Sequence, residues 1–189
     1  MTYHTHTIFG VALAVVIIHF LFIFNIRDMN YLIVGDLFNP DLIKFYLAVI
    51  LGTLLPDIDH ANSKIGRKLP IINKLLRLFG IKHRGLTHSI IGVVLVVLFF
   101  HQLHIKGWIG ELVLLGLIIG YISHLMADML NPQGIPLFFP NELKFSLLKI
   151  NTSSWKENLF SVIVLFLLSA FILQLRGIIN LDFINLNQF

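Results

Sequence analysis

The chain has no cysteine among its 189 residues, and charged residues make up only 13% of it. The missing thiol excludes disulfides and thiolate metal sites, so any bound metal must take nitrogen and oxygen ligands. The charge is about half that of a typical soluble domain. With 57% hydrophobic residues and a mean hydropathy of +0.85, the balance points to an all-α, polytopic membrane bundle forming a single domain over 1–189. No glycine-rich phosphate loop is present, and no serine sits in a nucleophile setting. The net charge of +4 would suggest nucleic acid in a soluble protein. Here the basic residues gather in one loop, where topology and anionic headgroups account for them, so membrane lipids rather than nucleic acid are the expected partners. No Lys or Arg precedes the first apolar run and no small-residue cleavage site follows it, so that run is expected to stay as a helix.

Five hydrophobic stretches stand out, at about 7–24, 42–55, 89–103, 108–127 and 158–175. A spanning helix wants about 20 apolar residues. The first, fourth and fifth qualify; the second and third need flanking residues or local thinning to cross. The loop 56–88 contains an amphipathic helix that opens at Pro70 and stops at Gly80, expected at the membrane interface. The loop 129–157 is turn-rich, with Asn131-Pro132, Gly134, Pro136 and Pro140. The tail after Gly177 is too short to span and is expected on the membrane surface. With five crossings, the N-terminus and both long loops share one side. Ten basic residues lie there (Lys64, Arg67, Lys68, Lys74, Arg77, Lys82, Arg84, Lys144, Lys149 and Lys156) against four on the other (Arg27, Lys44, Lys106 and Arg176). The positive-inside rule then makes the N-terminus cytoplasmic and the C-terminus external.

The same assignment puts six of the nine imidazoles and five of the ten carboxylates on that cytoplasmic face. His124 and Asp128 are four apart at the end of the fourth stretch, so they share a helix face and can reach one metal; the alternative is a hydrogen-bonded helix end. Gly116 and Gly120 run ahead of them at the same spacing and predict a closely packed neighbouring helix. Pro56-Asp57-Ile58-Asp59-His60 follows the second stretch. In an extended segment Asp57 and Asp59 would point the same way; the alternative is a capping turn. His83-Arg84-Gly85-Leu86-Thr87-His88 opens the third stretch. Its histidines can converge on an ion, and Arg84 can balance carboxylates or hold an anionic oxygen; the alternative is interfacial anchoring. His6 opens the first helix. Glu157 opens the last, where it equally suits a helix N-terminus. Imidazole with carboxylate is the usual ligand pair for zinc and related ions.

In these strings the chain resembles the YdjM-like inner-membrane protein family, whose members are described as metal-dependent hydrolases. The residues that carry the likeness are Gly52-Thr-Leu-Leu-Pro-Asp-Ile-Asp-His60, Ser63-Lys-Ile-Gly-Arg67, His83-Arg-Gly-Leu-Thr-His-Ser89 and Gly120 through Pro140, with His6 and Glu157 completing a region of about 4 to 160. The resemblance implies an inner-membrane location and a hydrolytic metal site. The ligand inventory is also similar, in residue types and order, to that of zinc-dependent phospholipase C and single-strand nucleases. That second likeness implies phosphoester substrates.

The expectation is therefore a metal-dependent hydrolase at the cytoplasmic membrane surface, cleaving a phosphoester in a lipid or amphiphile with metal-activated water. Its ligands are His6, Asp57, His60, His83, His88, His124, Asp128 and Glu157, holding two or three zinc ions, with manganese as an alternative. Asp59 is the expected base or bridging ligand, and Arg84 the oxyanion partner. Two rivals use the same residues: a metal or proton transporter, and a non-catalytic adaptor in which the metal staples the loops together.

Overall fold

Capping side chains set several of the helix starts. Asn39 Oδ1 accepts the Asp41 N–H at 2.8 Å ahead of Pro40, Ser89 Oγ accepts the Gly92 N–H at 3.2 Å, and Ser154 Oγ accepts the Glu157 N–H at 3.3 Å. Each satisfies an amide that the first helical turn leaves without an internal partner. The elements are α1 (Tyr3–Ile23), α2 (Tyr31–Val34), α3 (Pro40–Leu54), a 3-10 turn (Leu55–Asp59), α4 (Lys64–Lys68), α5 (Pro70–Leu78), a second 3-10 turn (Leu86–His88), α6 (Ile90–Ile105), α7 (Glu111–Met129) and α8 (Trp155–Leu175). They come from a computed structural model that describes residues 1–78, 84–141 and 143–179; no strand occurs among these residues, only a single antiparallel bridge between Ile135 and Phe145. His83, Gly80 and most of the C-terminal tail lie outside the described residues.

Helices α1, α7 and α8, of 21, 19 and 21 residues, are long and apolar enough to cross a membrane. Helix α6 is apolar but has 16 residues, and α3 has 15, a rise of about 22–24 Å against a hydrocarbon core of about 30 Å. The chain is an all-helical, polytopic membrane bundle. Its outer surface fits that solvent: Val162, Phe166 and Leu167 of α8 and Leu95, Leu98 and Phe99 of α6 are exposed. In water this would be an apolar area far larger than soluble monomers present.

Helices α3 and α7 form the tightest pair. A methyl group at Gly120 would strike the Val49 carbonyl oxygen and the Thr53 nitrogen, one at Gly52 would strike the Leu117 carbonyl, and one at Gly116 would strike the Phe45 carbonyl and Ala48. The small-residue ridge expected on α7 thus finds its neighbour in α3, backbone against backbone. Helix α1 lies across both, with Ala14, Val15 and Ile18 buried against Phe45, Val49 and Ile119, and α8 packs Leu168 and Phe171 on the outside. A second apolar cluster of Tyr121, Leu125 and Ile135 joins α7 to α6 and to the loop after α7.

That loop is turn-rich, as its prolines suggest. It is tied down by the Leu147 N–H to the Met129 carbonyl at 2.7 Å and by the Ile90 N–H to the Leu137 carbonyl at 2.9 Å. It still exposes Phe138, Leu143, Leu147 and Leu148. Helix α5 likewise presents Ile71 and Leu78, each 81% exposed, while its Asn73 is buried and donates to the Ile58 carbonyl at 2.9 Å. Both segments have the mixed character of interfacial structure.

Candidate metal centre

Five helix ends deliver the polar cluster. His6 comes from the start of α1, Asp57 and Asp59 from the turn after α3, His88 from the turn before α6, His124 and Asp128 from the end of α7, and Glu157 from the start of α8. All except Asp57 are buried, in a chain whose other buried side chains are mostly apolar.

Among the described residues, two triads have ligand atoms within 4.8 Å of one another: His6, His124 and Asp128, and Asp57, His88 and His124. His88 Nε2 is 3.7 Å from Asp57 Oδ1 and 3.6 Å from Asp128 Oδ2, and His124 Nε2 is 3.7 Å and 3.9 Å from the same two oxygens. These separations are too long for hydrogen bonds. Donors about 2.0–2.2 Å from a tetrahedral ion lie about 3.3–3.6 Å apart, so each of these four imidazole–carboxylate separations is close to what two ligands of one ion require.

The orientation of the imidazoles fits the same purpose. His124 Nδ1–H donates to the Thr53 carbonyl at 2.6 Å. That bond fixes the tautomer and leaves the Nε2 lone pair facing the carboxylates, where Nε2 is buried with no hydrogen-bond partner. A buried lone pair held this way is costly unless something accepts it. His88 is held from behind in a similar manner. Thr87 Oγ donates to Asp59 Oδ2 at 2.5 Å, and, its proton spent, accepts from His88 Nδ1–H at 3.0 Å. The Tyr121 hydroxyl donates to the Thr87 carbonyl and fixes that residue's backbone. His6 stacks on His124 with ring centroids 3.8 Å apart and puts its Nε2 3.4 Å from Asp128 Oδ1. The Met1 ammonium reaches the same oxygen at 3.1 Å.

Several expected roles change with this geometry. Asp59 does not lie beside Asp57. Residues 55–59 coil as a 3-10 turn, in which residues two apart point about 240° around the axis, so the two carboxylates fall on opposite sides of His88. Asp59 therefore positions His88 through Thr87. His60 lines the adjoining cavity but belongs to neither triad. Glu157 belongs to neither as well: its oxygens accept the Thr2 N–H at 2.5 Å and the Ser153 N–H at 2.6 Å. With Ser154 it forms a capping arrangement that also clasps the N-terminal segment. Arg84 pairs with Asp128 Oδ2 at 3.0 Å and Gln133 Oε1 at 2.9 Å, the charge-balancing alternative of its two expected roles. It does so from φ +57°, a conformation that costs a non-glycine residue about 1 kcal/mol or more.

Thr53, Thr87, Tyr121, Lys64 and Arg67 were not among the expected site residues. A backbone carbonyl that orients a ligand has no residue signature, but a hydroxyl beside a ligand histidine was visible in Thr87-His88. A cavity of about 410 Å³ opens on the cluster, with His6, Asp57 and Asp128 on the cluster side and Lys64, Arg67 and Arg84 among its other walls.

Comparison with known proteins places the chain among its relatives. The inner membrane protein YdjM of Escherichia coli K12 is 38% identical over 149 residues, covering 78% of this chain and 69% of that protein, and the Shigella flexneri protein of the same name matches equally. The uncharacterized protein YvsG of Bacillus subtilis 168 is 40% identical over 124 residues, 65% of this chain and 72% of its own. No solved structure matches. The family described as YdjM inner membrane protein matches residues 1–183, and the chain belongs to that family.

Proposed function

We propose that this chain is a membrane-bound, metal-dependent hydrolase that acts on a phosphoester in a lipid or other amphiphile. The observation that carries the reading is the set of two imidazole nitrogens and two carboxylate oxygens at 3.6–3.9 Å, one of them the buried and unpartnered His124 Nε2. Asp57, His88, His124 and Asp128 would hold a divalent ion, zinc or manganese by donor type, with His6 beside Asp128 as the place where a second would add. Such an ion supplies Lewis acidity and draws the pKa of water from 15.7 toward about 7. The chain's own residues do the rest. Thr53 and the Asp59–Thr87 pair orient the imidazoles, Arg84 offsets Asp128, and the basic cavity wall receives an anionic substrate. Five crossings and the basic excess support a cytoplasmic site and N-terminus with an external C-terminus.

One observation favours a second reading. Four protein donors in one place are the pattern of a closed structural site, which would make the ion a staple between loops. The cavity that opens on Asp57 and Asp128 weighs toward hydrolysis. The deciding experiment uses the full chain in nanodiscs, loaded with zinc or manganese, against phosphomonoesters, phosphodiesters and phospholipids. The hydrolase reading expects chelator-sensitive turnover that His124→Ala abolishes. Full metal occupancy with no turnover of any of them leaves the staple.

A further inference from the structure

The basic wall of the cavity has a chemistry of its own. Lys64 and Arg67 lie on α4, three residues apart, and both line the cavity whose other side is His6, Asp57 and Asp128. The Lys64 ammonium sits 3.2 Å from the centroid of the Tyr3 ring, a second lining residue, and that contact restrains it beside the cavity. Arg84, which also lines the cavity, is already engaged by Asp128. Among the described residues no carboxylate pairs with Lys64 or Arg67. Only Asp57 and Asp128 contribute negative side chains to the lining, and a divalent ion held between them would offset both. The cavity would then carry an excess of positive charge contributed by Lys64 and Arg67.

We infer that Lys64 and Arg67 form a subsite for a phosphomonoester dianion, with the phosphate between them and the carboxylate–imidazole cluster. This rests on the hydrolase reading and narrows its substrate class. A phosphomonoester carries nearly two negative charges at neutral pH because its second pKa is about 6. A phosphodiester carries one and gains less from two cations. The guanidinium can hold two phosphate oxygens at once, and the ammonium acts as a point charge. The cavity, at about 410 Å³, has room for a phosphate and the first atoms of its ester group.

Isothermal titration of the detergent-purified full chain tests this, with inorganic phosphate, dihexanoylphosphatidic acid and dihexanoylphosphatidylglycerol as probes. The expected result is binding of the two dianions, weaker binding of the diester, and a loss of about tenfold or more in both dianion affinities in the Lys64→Gln/Arg67→Gln variant. Metal content and thermal stability stay at wild-type values. Tighter binding of the phosphatidic acid than of inorganic phosphate assigns the ester to a lipid; equal or weaker binding assigns it to a soluble ester; both sustain the subsite. The inference is overturned by unchanged affinity in that variant, by diester binding equal to the monoester, or by an equal loss in Lys68→Gln/Lys74→Gln, which removes charge from the same loop outside the cavity. Titrations run with and without zinc separate the two levels. Failure to bind zinc strikes the hydrolase reading, whereas the effect of the Lys64 and Arg67 substitutions on phosphate is measured either way.

Discussion

Replacing Thr87 by valine keeps shape and volume but removes the hydroxyl that links Asp59 to His88. In the native chain that hydroxyl donates to the Asp59 carboxylate at 2.5 Å and accepts from His88 Nδ1 at 3.0 Å. Asp59 is only 3% exposed, so a lost donor is not simply replaced by water. A hydrogen bond to a charged group contributes about 1.5–3 kcal/mol. Loss of an outer partner to a ligand histidine typically costs about 10–100-fold in metal affinity, or about 1.4–2.7 kcal/mol, so two independent estimates agree. The Tyr121 hydroxyl on the Thr87 carbonyl keeps the backbone in place, which confines the change to the imidazole. The assay is competition for zinc with a chromophoric chelator, comparing wild type, Thr87→Val and Thr87→Ser. The serine variant retains the hydroxyl and should hold zinc nearly as wild type does, while the valine variant weakens by one to two orders of magnitude. Wild-type zinc affinity in a folded Thr87→Val would refute the positioning role of Asp59.

Gly120→Ala pushes a methyl group into the Val49 carbonyl and should destabilise the bundle by about 1–3 kcal/mol, whereas Gly110→Ala, with nothing within 4 Å, should not; denaturant titration in mild detergent reads both. Glu157→Gln removes charge from bonds to the Thr2 and Ser153 amides and should cost about 1–2 kcal/mol of stability without changing metal stoichiometry, which elemental analysis checks. A cysteine placed at Ser63 should be labelled only from the cytoplasmic side and a reporter after Phe189 should read as external. In this thiol-free chain a single cysteine gives an unambiguous signal, and finding both on one side would remove the five-crossing arrangement.

Much of the site was legible because ligand pairs and helix ends leave marks in sequence. His124 and Asp128 at a four-residue spacing, the Gly116–Gly120 ridge and the helix ends that carry histidines and acids all follow from periodicity and hydropathy. In the structure the glycine ridge packs against α3, and His6, Asp57, His88, His124 and Asp128 come together in two overlapping triads. What was not legible depends on local backbone shape. The Pro56–His60 segment left an extended run and a turn open; it coils into a 3-10 turn and sends Asp57 and Asp59 to opposite sides of His88. Glu157 suited both a ligand and a helix N-terminus, and Ser154 three residues earlier is the signature of the cap it forms. Lys64 and Arg67 counted toward membrane orientation and the family likeness but not toward a site, since nothing in their spacing says that α4 lines the same cavity as the cluster. The loop after Met129 was read from its prolines as turn, and its exposed Phe138, Leu143 and Leu147 went unweighed because they form no periodic run.

The central claim is that Asp57, His88, His124 and Asp128 hold a divalent metal ion, and metal analysis of the purified chain tests it most directly. Wild-type protein and His124→Ala, prepared side by side without added chelator, are compared by inductively coupled plasma mass spectrometry. At least one zinc or manganese ion per wild-type chain and a marked loss in the variant are expected. Wild-type protein without metal after zinc or manganese loading, or equal metal in both proteins, would contradict it.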